Sequence, residues 1–165
     1  MKVVLLDTSS FIQGYNMSQE EKYYTVPEVN REIRNEIAKL RYESAKNSGR
    51  MKEETPASYF VTELESQAEN MGEGHKLSMT DKQLLALGLQ LKTEGNETVI
   101  VSDDYSVQNM ASRLGMGYVS QVTKGITRRL NWVIYCPGCR RTFDRPQEDN
   151  TCPVCGTILK RKPRR

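Results

Sequence analysis

Thr98-Val99-Ile100-Val101-Ser102-Asp103-Asp104-Tyr105-Ser106-Val107-Gln108-Asn109 decides the fold class. Thr98 to Ser102 is a continuous, β-branched run, which suits a strand covered on both faces. A helix then runs from Asp104 to Leu114 and stops at Gly115. The chain opens with the same grammar. Val3-Val4-Leu5-Leu6 is a short buried strand, and the turn-like Asp7-Thr8-Ser9-Ser10 follows it. Tyr23 to Val26 is a weaker second strand, and Gly117 to Ser120 a last one. Pro27 opens a helix where its missing N–H costs nothing, and Val29, Ile33, Ile37 and Leu40 carry that helix on at helical spacing. Further helices are expected over 56–70 and from Thr80 to Leu91, the latter with an apolar girth wide enough to predict burial. Residues 44–56 are polar and without period, so they read as a mobile loop, as does Met71 to His75. Strands alternating with helices predict an α/β protein with a parallel sheet covered on both faces.

The chain has 165 residues, enough for one domain with a real core plus a small appendage. No run approaches the ~20 apolar residues of a membrane span. Val3 to Leu6 is too short for a signal-peptide core, so the protein is expected in the cytoplasm, with no membrane partner. Charge is unevenly spread. Residues 1–126 hold 14 Lys+Arg against 18 Asp+Glu, net −4, while residues 127–165 hold 10 against 3, net +7. An acidic body thus carries a basic end suited to a polyanion. The expected division is a body at 1–125, a connector at 126–133, a cysteine module at 134–160 and a basic tail at 161–165.

All four cysteines lie in the module, as Cys136-Pro137-Gly138-Cys139 and Cys152-Pro153-Val154-Cys155. Two C-x-x-C knuckles at this spacing supply the four thiolates of a closed tetrahedral Zn²⁺ site, which would be structural because no coordination position is open. The competing reading, two redox motifs, lacks the βαβ setting such motifs use. So short a segment must take its folding energy from the metal, about 10–16 kcal/mol in small zinc peptides. Arg140, Arg141, Arg145, Lys160, Arg161 and Lys162 surround the module. They are candidate RNA contacts, or else a solvated basic surface and a solubilising tail.

The acids of the body are placed suggestively. Asp7 follows the first strand, Asp104 follows the Val99–Ser102 strand with Asp103 beside it, Asp81 opens the Thr80 helix, and Glu32 lies one turn into the Pro27 helix. Each has an ordinary alternative as a helix cap, a dipole partner or a surface charge. In a parallel sheet, however, the carboxyl ends of strands form the ligand crevice. Four acids gathered there require a cation, and oxygen ligands select Mg²⁺ or Mn²⁺. Such a site suits phosphodiester hydrolysis. His75 is the only histidine, and no Gly-rich nucleotide loop is present, so other hydrolytic and nucleotide-binding chemistries are short of parts.

Those residues, in that order, resemble a PIN-domain nuclease. The matching pieces are Leu6-Asp7-Thr8-Ser9, Val26 to Ile33, Thr80 to Leu87 and Val101 to Asn109. With the four-Cys ribbon behind them, the chain looks like the Nob endonuclease family, which makes the mature 3′ end of small-subunit ribosomal RNA, in a compact archaeal form. The resemblance implies a three-layer α/β/α sandwich with a parallel sheet. It also implies catalysis with Mg²⁺ or Mn²⁺ and acidic positions at Asp7, Glu32, Asp81 and Asp104, with Glu28 and Glu36 as alternatives to Glu32 on the same helix. Asp7, Asp81 and Asp104, with Asp103 as an alternative beside the last, would be the metal ligands. Precursor small-subunit rRNA, the pre-ribosomal particle and its assembly proteins are the partners it implies. A toxin-like PIN ribonuclease and a non-catalytic RNA-binding assembly factor are the rival readings.

Overall fold

Strand β1, Lys2–Leu6, is the spine of the molecule: Val3 to Leu6 are buried on both sides of the sheet. The computed structural model describes residues 1–121, 131–145, 147 and 149–164. Around β1 lie β2 (Lys22–Thr25), β3 (Met51–Glu53), β4 (Glu97–Val101) and β5 (Gly117–Val119), all parallel, in the order β3-β2-β1-β4-β5. The chain therefore leaves β1 in one direction to build β2 and β3, then crosses back to build β4 and β5. Right-handed crossovers put α1 (Thr8–Gln13), α2 (Pro27–Glu32) and α3 (Glu36–Asn47) on one face. They put α4 (Ser58–Asn70), α5 (Met79–Thr93) and α6 (Tyr105–Arg113) on the other, where α5 packs on both α4 and α6. This is the expected three-layer sandwich. Leu84, Leu85 and Leu87 of α5 are fully buried against it, as the wide apolar girth predicts.

Two expectations for the first half are corrected. The helix begun by Pro27 does not run on through Leu40. It ends at Glu32, Ile33 turns extended, and Asn35 starts a new helix by accepting the Ala38 N–H at 3.0 Å. The buried stripe of α3 is Ala38, Tyr42 and Ala45, which leaves Ile37 and Leu40 in water. An amide able to satisfy a first-turn donor outweighs apolar spacing carried across it. Residues 44–56 are likewise no loop. Helix α3 runs to Asn47, and Met51 then seats edge strand β3 against Tyr23 with its side chain buried. Two apolar side chains of that polar stretch, Ala45 and Met51, both enter the core.

The ribbon forms a second, antiparallel sheet, β7-β6-β8, from β6 (Trp132–Tyr135), β7 (Thr142–Phe143) and β8 (Lys160–Pro163). The basic tail expected at 161–165 is thus largely a paired strand. The expected boundary at residue 125 and most of the 126–133 connector lie outside the described residues. A clasp joins ribbon to body. Glu73, only 1% exposed, accepts from Asn109 Nδ2 of α6 at 2.7 Å, from Trp132 Nε1 of β6, and from Arg161 of β8 at 3.4 Å. The same guanidinium donates to the Gly72 carbonyl and lies 4.2 Å from the centre of the Trp132 ring. Gly72 ends α4 at φ +72°, and a Cβ there would sit 2.7 Å from Cβ of Trp132. Position 72 must therefore be glycine on two counts, backbone conformation and clearance. Gly72→Ala is expected to cost roughly 1–3 kcal/mol in urea unfolding. It should also red-shift the emission of Trp132, the only tryptophan, as water reaches the clasp.

Candidate functional site

The strand order reverses between β1 and β4, and the crevice at their carboxyl ends is where a parallel sheet offers a ligand site. Pairing of Leu6 with Val101 brings the next residues of both strands together, and the Asp7 N–H closes the ladder on the Val101 carbonyl at 3.2 Å. Asp7 caps α1. Its Oδ1 accepts from the Thr8 N–H at 2.6 Å, and its Oδ2 accepts from the Ser102 hydroxyl at 2.8 Å. Asp104 caps α6 through Oδ1, which takes the N–H groups of Ser106 and Val107. Asp81 completes a reciprocal capping box with Ser78 at the start of α5. Glu32, last residue of α2, accepts from the Thr8 hydroxyl at 2.8 Å, beside Asp7.

The ordinary and the functional readings of these acids therefore hold together. The caps are real, and they fix each carboxylate by one oxygen, leaving Oδ1 of Asp81 and Oδ2 of Asp104 clear of the helix ends. The four acids also share a field. Burial is the main force that pushes the Asp7 carboxyl up to about 6, and the charges of Asp81 and Glu32 add to it. Asp81 is raised too, first by burial and then by Asp104 and Glu32. Like charges held this way favour a bound cation over protons. Asp103 points elsewhere: its Oδ1 accepts from the Ser120 hydroxyl and the Gln121 N–H, both at 2.8 Å, beyond the end of β5. Ser102 is the residue that sequence reasoning missed. Its hydroxyl donates to Asp7 and accepts the Asp104 N–H, linking the two acids, and only its place between the strand and Asp104 hinted at a role.

The second site is in the ribbon. The Sγ atoms of Cys136 and Cys155 are 3.3 Å apart and those of Cys139 and Cys152 are 3.6 Å apart. That is close to the ~3.8 Å edge of a tetrahedron with Zn–S bonds of about 2.3 Å, and far from a disulfide. Among the described residues, these four are the one group of three or more ligand side chains within mutual reach of a single ion. The knuckles repeat each other. Arg140 N–H returns to the Cys136 carbonyl and Gly156 N–H to that of Cys152, each from a left-handed residue. A Cβ on Gly138 would meet the Thr157 hydroxyl at 2.6 Å, so glycine lets the knuckles close. The thiols cannot ionise alike. Contact with Thr157 lowers Cys155 to about 6, while Cys139, against the lowering pull of the Arg141 backbone, is raised to about 11 by desolvation and then by its sulfur neighbours. A divalent ion removes that conflict.

The RNA-contact candidates divide. Arg140, Arg141 and Arg145 are in or beside the knuckle and exposed, and Lys160 is exposed on β8. Lys162 lies over the Tyr135 ring at 4.8 Å. Arg161, expected to face a polyanion, is turned inward to Glu73.

Fold and crevice together define the class, a PIN-domain ribonuclease. Residues 4–91 match the family described as PIN domain of ribonuclease, whose members depend on divalent cations. The chain is 35% identical over 158 residues to Endoribonuclease Nob1 of Methanothermobacter thermautotrophicus, covering 96% of this chain and 91% of that one. It is 38% identical over 157 residues to Endoribonuclease Nob1 of Archaeoglobus fulgidus, covering 95% and 89%. It is also 30% identical over 95 residues to the 20S-pre-rRNA D-site endonuclease nob1 of Schizosaccharomyces pombe, covering 56% of this chain and 24% of that protein. The chain belongs to the Nob1 endoribonuclease family.

The raised Asp7 carboxyl sets a pH dependence. Because its folded value lies above the ordinary 3.8, Asp7 favours the folded state in acid, and this contribution is lost as pH climbs through about 6. Without divalent cations, Asp7→Asn should therefore be more stable than the parent at pH 7.5, by up to about 3 kcal/mol. The difference should vanish near pH 4. Thermal melting across this range measures it, and added Mn²⁺ should stabilise the parent alone. In the ribbon, Cys152→Ser should abolish binding of one zinc per chain and expose Trp132, read by metal analysis and fluorescence.

Proposed function

We propose that this protein is a metal-dependent endoribonuclease that cuts precursor small-subunit ribosomal RNA at its mature 3′ end during ribosome assembly in the cytoplasm. One observation carries the reading. At the β1/β4 crevice the charges of Asp81 and Glu32 act on Asp7, and those of Asp104 and Glu32 act on Asp81, in a chain whose likeness to Nob1 runs through body and cysteine ribbon together. A toxin-like PIN nuclease would account for the body alone. A decayed site would not keep all four acids, with Ser102 and Thr8 holding two of them in place. No helix among the described residues is long and apolar enough to cross a membrane.

In this reading Asp7, Asp81 and Asp104 would hold Mg²⁺ or Mn²⁺, directly or through water, with Glu32 beside them. A cation held there would supply Lewis-acid activation of the attacking water and offset charge on the phosphate in transit. The chain's own groups do the rest. Ser102 keeps both oxygens of Asp7 oriented by pairing Oδ2 while Thr8 pairs Oδ1. Glu32, exposed and bonded to the Thr8 hydroxyl, stands where it can accept a proton from an attacking water. Cys136, Cys139, Cys152 and Cys155 hold one structural Zn²⁺, and the ribbon's cations take RNA phosphates.

The test is cleavage of a short RNA spanning a small-subunit 3′ end, with Mn²⁺, beside Asp7→Asn and Asp104→Asn. The expected result is metal-dependent cutting at one position, slowed at least 100-fold in either variant, the scale of losing a group that stabilises the transition state. Equal binding without cutting by parent and variants would instead mark an assembly factor.

A further inference from the structure

Where the ribbon docks on the body, a cleft of about 840 Å³ opens between α4, the start of α5 and strand β8. Lys76 and Lys82 of the body face it, as do Arg145 and Lys160 of the ribbon, against Glu65 and Glu69 of α4. Lys76, Arg145 and Lys160 have no acidic partner among the described residues. Lys82 has only an open contact with Glu65 at 3.5 Å, of the kind worth little in water. Unpaired cations lining a concave surface are a site for a polyanion.

The cleft also leads somewhere. Lys82 follows Asp81 directly in the first turn of α5, and Thr80 lines the groove beside Thr8 and Glu32. Lys82 of the cleft and Thr80 of the groove are thus two residues apart, about 3 Å along the helix axis, with Asp81 between them.

We propose that this cleft is a composite channel for the RNA backbone. Lys76 and Lys82 of the body and Arg145 and Lys160 of the ribbon take successive phosphates in it, and the Glu73–Trp132–Arg161 clasp keeps its two walls together. This rests on the nuclease reading above and gives that nuclease an entry path. The contacts are to phosphates, so the channel reads RNA shape and direction rather than sequence. Arg161 contributes by holding the ribbon wall in place and not by touching RNA. Glu73 is a positioning residue on the same terms.

The proposal is tested by fluorescence anisotropy of a labelled RNA hairpin with a single-stranded 3′ tail. The measurement uses the full chain in the Asp7→Asn background without added Mg²⁺ or Mn²⁺, so cleavage does not enter and failure of the nuclease reading is seen separately. Lys76→Gln/Lys82→Gln should weaken binding roughly ten-fold and lower the slope of log K against log salt by about 1.5–2, two phosphate contacts' worth. Arg145→Gln/Lys160→Gln should do the same. Glu73→Ala should lose affinity and red-shift Trp132, and Glu73→Gln, which keeps an acceptor for the indole, should recover most of both. Zinc content and melting temperature confirm that the lysine variants are folded. Binding by the body-lysine variant within two-fold of the parent, with an unchanged slope, would overturn the proposal and leave the ribbon gripping alone. No measurable binding by the parent would overturn it too.

Discussion

The pairing of β1 with β4 is the constraint on which everything else rests. These strands lie far apart in sequence and adjacent in space, in a register that ends with Leu6 beside Val101. Because both run the same way, the polar residue that ends each strand emerges at the same edge. Asp7 and the Ser102–Asp104 turn are brought together by backbone hydrogen bonds, before any attraction between side chains. A shift by one residue would point Asp7 to the wrong face of the sheet. The central burial of Val3 to Leu6 makes such a shift costly.

This architecture stores an electrostatic conflict. The hydrogen bonds from Thr8, Ser78, Ser102 and Ser106 order the acids, yet burial and mutual repulsion raise Asp7 and Asp81. The order is what a hard cation requires, and the repulsion is what it relieves. The ribbon meets the same difficulty with softer ligands, where four crowded sulfurs cannot all be thiolates until a metal joins them. The two sites share the logic of preorganised anions and differ in openness. Among the described residues the four sulfurs lie within mutual reach of one ion, whereas no three of the crevice acids do.

Much of this was legible in the sequence because period and punctuation agreed. β1, β4, α5 and α6 are short runs or strong periods bounded by Asp, Ser or Gly, and the structure follows them. The knuckle spacing fixed the sulfur cluster equally directly. What was hidden depended on single residues winning against a pattern. Asn35 splits a helix that the spacing of Ile37 and Leu40 extends, and Met51 draws a polar stretch into the sheet. Arg161 looked like one more charge in a basic tail. Its role depends on Glu73, 88 residues away and unmarked by any motif.

The clasp has a further consequence, for how the chain tolerates mutation. Gly72, Glu73, Asn109, Trp132 and Arg161 are scattered along the chain but behave as one thermodynamic unit. Removing either charged partner strands the other in a buried place, and any side chain at position 72 drives against the indole. A substitution at any one of these five positions therefore disturbs the contacts of the others, and the seat of the ribbon on the body depends on the set as a whole.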